Sequence, residues 1–255
     1  MRMLRKTLPA FIVILAIGTA TQASLILHWD LDGNATTETV SGNTTNTVLH
    51  GPVQTGQDPL APTGSSSIWL PNTSHNNGSA YISAGTLQSN GVYAAGGGDG
   101  TYTELTTYTV TAWFELPDTT FPNQDRVIVG TSRWANTAWM LAIRGHEIVF
   151  DFGNNRRSTG INVPEGGAGL IVVQQAEGSF TDGSDIYNNR IGYFDGTTWT
   201  WVYGTQKANI HLDNIMIGAF QPESASSGNF DISSAGSTTC AFMTTCSATP
   251  RLLHC

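Results

Sequence analysis

Leu25-Ile-Leu-His-Trp-Asp-Leu-Asp-Gly-Asn34 is the stretch on which the fold turns. Apolar residues fill Leu25 to Leu27, Trp29 and Leu31 alternate with Asp30 and Asp32, and Asp-Gly-Asn then bends the backbone. A period of two running into a polar turn is the pattern of a half-buried strand followed by a loop. Farther along, Tyr108-Thr-Val-Thr-Ala-Trp-Phe-Glu-Leu116 puts Tyr108, Val110, Ala112 and Phe114 on one side and Thr109, Thr111, Trp113 and Glu115 on the other, again strand spacing. Shorter strands are expected over residues 67–70, 80–83, 126–130, 138–144, 147–152, 170–176, 189–194, 198–203 and 214–218. Gly145-His146 and Asp195-Gly196-Thr197 read as hairpin connections, the second being the better signal because Asp-Gly sits between two alternating runs. Residues 35–64 and the run Asn154-Asn155-Arg156-Arg157 read as loops. With no helical period and no internal repeat, the economical architecture is all-β, a two-sheet antiparallel β-sandwich.

The N-terminus carries Arg2, Arg5 and Lys6, then an apolar run from Leu8 to Ile17, then small residues ending in Ala23. This is the order of a signal peptide, cut after Ala23, and the run is about half the ~20 residues needed to span a bilayer. The mature chain is expected outside the cytoplasm, with no membrane insertion after cleavage. Of 255 residues, those that remain suit one domain, since β-sandwiches of ~200–250 residues form a single core. A composition of 28 glycines and 12% charged residues fits strands joined by tight turns. A net charge of −8 argues against nucleic acid, whose phosphates demand a basic face.

His28-Trp-Asp-Leu-Asp-Gly-Asn-Ala35 resembles the opening strand of the laminin-G-like, concanavalin A-like jelly rolls. Tyr108 to Leu116 resembles the long central strand of that family, which typically reads Phe-Thr-Val-Ser-Ala-Trp. The resemblance covers residues 24–236 and keeps only part of the family's hairpin at Gly192-Tyr-Phe-Asp-Gly196. It implies a secreted jelly roll that binds glycan or polysaccharide more often than it cleaves one.

The last residues do not continue that pattern. Cys240, Cys246 and Cys255 crowd into the end of a chain with no earlier cysteine, an odd count for an exported protein. Synonymous codons for residues 236–255, read from the third base of the first codon, permit FDDVRIYDYVLSDPQIAAL, which resembles the family's terminal strand and the turn after it. The expected organisation is therefore a signal peptide over 1–23, a jelly roll lacking its last strand over 24–236, and an out-of-frame tail over 237–255. In the family the last strand lies beside the first, so its loss would leave Leu25 to Leu31 as an open edge.

Chemistry-bearing motifs are few. There is no Gly-x-Ser-x-Gly elbow, no metal-ligand spacing among the histidines, and no Lys-Ser/Thr ending to Gly96-Gly97-Gly98-Asp99-Gly100, so acyl transfer and phosphate binding lack support. The glycosidase branch of the concanavalin-like folds uses Glu-x-Asp-x-x-Glu on one strand, and retaining hydrolysis needs two carboxyls about 5–5.5 Å apart. The glutamates here are isolated from one another; the chain reads as a non-enzyme.

Asp30, Asp32 and Asn34 gather hard oxygen donors at a strand-loop junction, and calcium takes about six to eight such oxygens. Two readings stand there, half of a calcium site or a plain turn. For sugar contact, Arg133, Trp134 and Asn136, with Asn154, Asn155 and Arg156, combine an aromatic face with planar polar groups. Trp199 and Trp201 share one side of their strand and read first as sheet cover. Three functions follow in order: a calcium-assisted carbohydrate-binding module, a structural or adhesion module of a surface protein without a sugar site, and a glycoside hydrolase.

Overall fold

The computed structural model describes residues 24–29, 37–40, 43–46, 48–51, 53–57, 67–70, 81–87, 93–94, 104–116, 125–131, 139–152, 155–207, 209–213, 215–220, 231–232 and 236–244. Within 24–48, 55–69, 84–94 and 219–244, and at 125, 155 and 156, the backbone alone is described. Every ladder is antiparallel. The front sheet has eight strands, in the order β17 (Trp199–Gly204), β16 (Asp185–Phe194), β15 (Ala168–Asp182), β10 (Tyr108–Glu115), β22 (Gly236–Thr244), β6 (Ser67–Trp69) and β5 (Gln54–Gln57), with β1 (Ser24–Trp29) also paired to β22. The back sheet also has eight, in the order β14 (Asn155–Asn162), β13 (Glu147–Phe152), β12 (Trp139–Arg144), β11 (Asp125–Thr131), β19 (Ile215–Ile217), β7 (Tyr81–Leu87) and β4 (Val48–His50), with β8 (Tyr93–Ala94) on β7. Three small ribbons complete the described strands: β2 (Thr37–Val40) with β3 (Asn43–Asn46), β9 (Glu104–Leu105) with β18 (Ile210–His211), and β20 (Ala219–Phe220) with β21 (Asp231–Ile232). No helix occurs among the described residues, so the all-β sandwich expected from the sequence is the fold.

The core follows from the period of two. Tyr108, Val110, Ala112 and Phe114 of β10, with Ile171, Val173, Ile191 and Tyr193 beside them, pack against Leu141, Ile143, Ile148 and Phe150 of the back sheet. Burying side chains of this size stabilises by about 1.5–3 kcal/mol each, measured against full exposure. Met140 and Ala142 alternate with Leu141 and Ile143 and form a separate cluster with Val127 and Val149, so β12 is buried on both faces. Trp139, fully buried, donates its Nε1–H to the His211 carbonyl at 2.8 Å, which satisfies the indole inside the core.

The architecture departs from the sequence expectation in several places. Gly236–Thr244, of which residues 237–244 were expected to lie outside the domain, is β22: it pairs with β10 from Thr109↔Met243 to Glu115↔Gly236 and with β1 from Ser24↔Thr244 to Trp29↔Cys240. The first strand therefore has its neighbour. Gly-Ser-Thr-Thr-Cys-Ala-Phe-Met-Thr contains no charge and no proline, so its composition permits a central position. Residues 35–64, expected as loop, contain β2 to β5. Asn155, Arg156 and Arg157, expected in a loop, begin the edge strand β14. β15 and β16 run on to a turn at Gly183, φ 62°, so Asp182-Gly183-Ser184-Asp185 is a hairpin tip. The proposed signal segment and residues 245–255 lie outside the described residues.

Candidate functional site, a polar cleft beside β14 and β17

β14 and β17 are the first strands of their sheets and lie on the same side of the sandwich. Along β14 the register slips, with Glu147↔Asn162 at one end and Val149↔Ser158 next to it. The extra residues make a bulge whose apex, Gly160, has φ 71°, a backbone conformation that side-chain-bearing residues avoid. Glu147 holds the bulge: its Oε1 accepts the Ser158 hydroxyl and, at 2.6 Å, the Gly160 N–H. These hydrogen bonds keep the Glu147 carboxyl below the usual glutamate range. Thr159 donates its hydroxyl to the Ile148 carbonyl at 2.6 Å from the other side.

Beyond the bulge the chain turns through Val163 to Gly167. Val163 N–H donates to the His146 carbonyl at 2.7 Å, His146 Nδ1 donates to the Val163 carbonyl at 3.1 Å, and Leu116 N–H donates to the Gly167 carbonyl at 2.9 Å. The turn is thus tied to the β12–β13 connection and to the end of β10. Opposite it stands the β16–β17 hairpin, with Gly196 at φ 97°. Asp195 Oδ1 accepts the Thr197 N–H at 2.8 Å, the Thr197 hydroxyl at 2.7 Å and the Thr198 N–H at 2.8 Å. Those donors depress the Asp195 pKa, with the Thr197 hydroxyl first.

Between turn and hairpin opens a cleft of about 380 Å³, lined by Asn162, Pro164, Tyr193, Asp195 and Thr200 together with other residues of the bulge and turn. Its volume falls within the ~300–1,000 Å³ of small-molecule sites. Tyr193 is its fixed wall. The ring lies against Gly169, where a Cβ would come within 2.5 Å of it, and the hydroxyl donates to the Ala168 carbonyl at 3.1 Å. Asn162, by contrast, is loosely held: Nδ2 reaches only its own strand, the Gly160 carbonyl at 3.4 Å, a weak hydrogen bond. The cleft therefore presents an amide, a hydroxyl and a carboxylate beside an aromatic ring.

Two further clusters sit on the same side. On the outer face of the front sheet, Phe180, Arg190, Trp201, Trp199 and Phe194 form a continuous column, with the Arg190 guanidinium 4.9 Å from the Phe180 centroid and 4.2 Å from that of Trp201. Trp199 stacks on Trp201 at 5.0 Å and on Phe194 at 5.2 Å. Half-buried in this column, Trp199 and Trp201 act as sheet cover. Between the sheets, Arg157 of β14 donates to Asn189 Oδ1 of β16 and, at 3.4 Å, to the Val202 carbonyl of β17. Tyr108, deeply buried beside Arg157, has its pKa pushed far up by desolvation.

Of the residues singled out in the sequence, Asp30, Asp32, Asn34, Arg133, Trp134, Asn136 and Asn154 lie outside the described residues. Asn155 and Arg156 begin β14 opposite Phe152 and Asp151, with their backbone alone described. Asn162, Tyr193, Asp195 and Thr200 were not singled out as ligand groups. Only the Asp-Gly hairpin pointed toward this end of the sandwich. No cluster of His, Cys, Asp and Glu suited to a metal occurs among the described residues.

No protein-family model and no curated protein matches the sequence. Solved structures do match in fold. The binding domain of botulinum neurotoxin DC in complex with rat synaptotagmin II superposes with a TM-score of 0.54 at 11% identity, covering 88% of this chain and 49% of that one. The same toxin's binding domain in complex with SialylT gives 0.52 at 10% identity, covering 88% and 49%. The binding domain of Paraclostridial Mosquitocidal Protein 1 gives 0.53 at 11% identity, covering 88% and 50%. This chain spans about half the length of these structures. At such identities the likeness is one of β-sandwich fold.

Proposed function

We propose that this chain is a non-catalytic carbohydrate-binding module of the laminin-G-like, concanavalin A-like kind, working outside the cell. The observation that carries this reading is the open cleft at Asn162, Tyr193, Asp195 and Thr200. Sugars are recognised by planar amide and carboxylate groups that meet hydroxyls in pairs, beside an aromatic ring that meets C–H groups, and the cleft combines these. Support also comes from the complex of a fold neighbour with SialylT. Calcium held by Asp30, Asp32 and Asn34 belongs to the same proposal.

A glycan and polysaccharide array probed with the purified chain, with and without chelator, tests it. Binding that falls in Asp195→Ala supports the cleft, and chelator sensitivity supports the calcium. Silence across a broad array removes the reading. A second reading, an adhesion module that docks on a surface protein, draws on the neighbour in complex with rat synaptotagmin II, and predicts protein capture without sugar binding.

A further inference from the structure

The charge of the cleft narrows its ligand class. Among the described residues Asp195 is the one carboxylate that lines the cleft, and no lysine, arginine or histidine lines it. The three donors from Thr197 and Thr198 all end on Oδ1, so the carboxylate is fixed through one oxygen while Oδ2 stays open to a ligand. Tyr193 has committed its hydroxyl proton to the Ala168 carbonyl and can only accept. The remaining donors, the Asn162 amide and the Thr200 hydroxyl, are neutral.

Beside the turn, His146 donates to the Val163 carbonyl at 3.1 Å and lies 3.9 Å from Glu165, and the described cations of β14, of β16 and after β17 are engaged elsewhere. Arg157 serves Asn189 and Val202, Arg190 donates to Gln174 Oε1 at 2.7 Å while lying on Trp201, and Lys207 pairs with Glu177 at 2.5 Å. A sulfate, phosphate or sialyl carboxylate is held best by cationic donors such as the arginine fork. Among the described residues no such donor lines the cleft, and the whole chain carries a net charge of −8, which repels such ligands on approach.

Resting on the carbohydrate reading of the cleft, we propose that this site selects uncharged, hydroxyl-rich sugars and rejects sialylated and sulfated ones. Asp195 Oδ2 accepts two adjacent sugar hydroxyls, and Asn162 releases its 3.4 Å contact with Gly160 to donate its amide to a third group. The fold neighbour in complex with SialylT would then differ from this chain in ligand charge.

The test compares neutral oligosaccharides with their sialylated and sulfated counterparts, using the full chain and Asp195→Asn. The variant keeps the turn, because an amide oxygen can still accept the Thr197 and Thr198 donors and Gly196 still supplies the positive φ. Neutral sugars should bind the parent chain, and the variant should bind them about tenfold or more weakly, as loss of a charge-assisted hydrogen bond dictates. Binding confined to anionic glycans, or neutral binding that Asp195→Asn leaves unchanged, overturns the proposal while leaving a carbohydrate module standing. No binding of any sugar brings down both.

Discussion

The Glu147 carboxylate accepts the Gly160 N–H at 2.6 Å, so a residue outside the cleft sets the path of the strand that delivers Asn162 to it. Glu147→Gln retains the size but weakens both acceptor bonds. We expect the variant to be less stable at neutral pH and to bind ligand less well. The folded-state pKa is depressed, so the stabilisation is full above the ordinary glutamate range and is lost as pH falls through the folded value. Denaturation midpoints of parent and variant should therefore converge in acid. A gap that persists at low pH would mean the carboxylate's charge is not what holds the bulge.

Gly192 lies beneath Trp201, and a Cβ there would come within 2.5 Å of the indole. Gly192→Ala must lift that ring and disturb the column it belongs to. A cost of about 1–3 kcal/mol is expected, the usual penalty of overpacking. Trp201→Ala made first should shrink that cost, and a double-mutant cycle by urea unfolding measures the coupling.

Arg157 joins strands of both sheets. Arg157→Met keeps the buried stem but removes the donors to Asn189 and Val202, at a cost of about 1.5–3 kcal/mol for a charged hydrogen bond. Arg157→Lys should recover little, since one ammonium cannot reproduce the planar fork. Thermal midpoints of the three proteins decide this.

β22 pairs with β10 on one side and with β6 and β1 on the other. A chain ending at Ala235 should therefore lose cooperative unfolding and aggregate through the exposed edges. A Cys240→Pro substitution, placed where β22 faces both Trp29 and Ala112, should act in the same direction. If the shortened chain instead melts at the parent temperature, residues 237–255 are no part of the domain, as the out-of-frame reading of the tail expects. Sequencing the gene across those codons tests the coding question itself.

The sandwich was legible wherever a strand has one face in the core. Tyr108–Glu115 alternates because Val110, Ala112 and Phe114 are buried and their neighbours face outward. Asn155–Asn162 carried no such signal: it is an edge strand whose one deeply buried apolar side chain, Ile161, follows the bulge at Gly160. The cleft was illegible for a related reason. Asn162 and Asp195 meet across the open side of the two sheets, and that meeting depends on a register slip set by Glu147, which no local pattern of residues announces. The tail shows the opposite limit, since a stretch with neither charge nor proline lets Gly236–Thr244 fill a central slot for which its family pattern offered no support.

The Trp199 and Trp201 rings lie 5.0 Å apart and within 15° of parallel. Chromophores held so close couple their electronic transitions, so the far-ultraviolet circular dichroism should contain an exciton band that vanishes in Trp199→Phe. That band gives β17 an optical reporter of its own, able to reveal whether this border ribbon frays before the rest of the molecule melts.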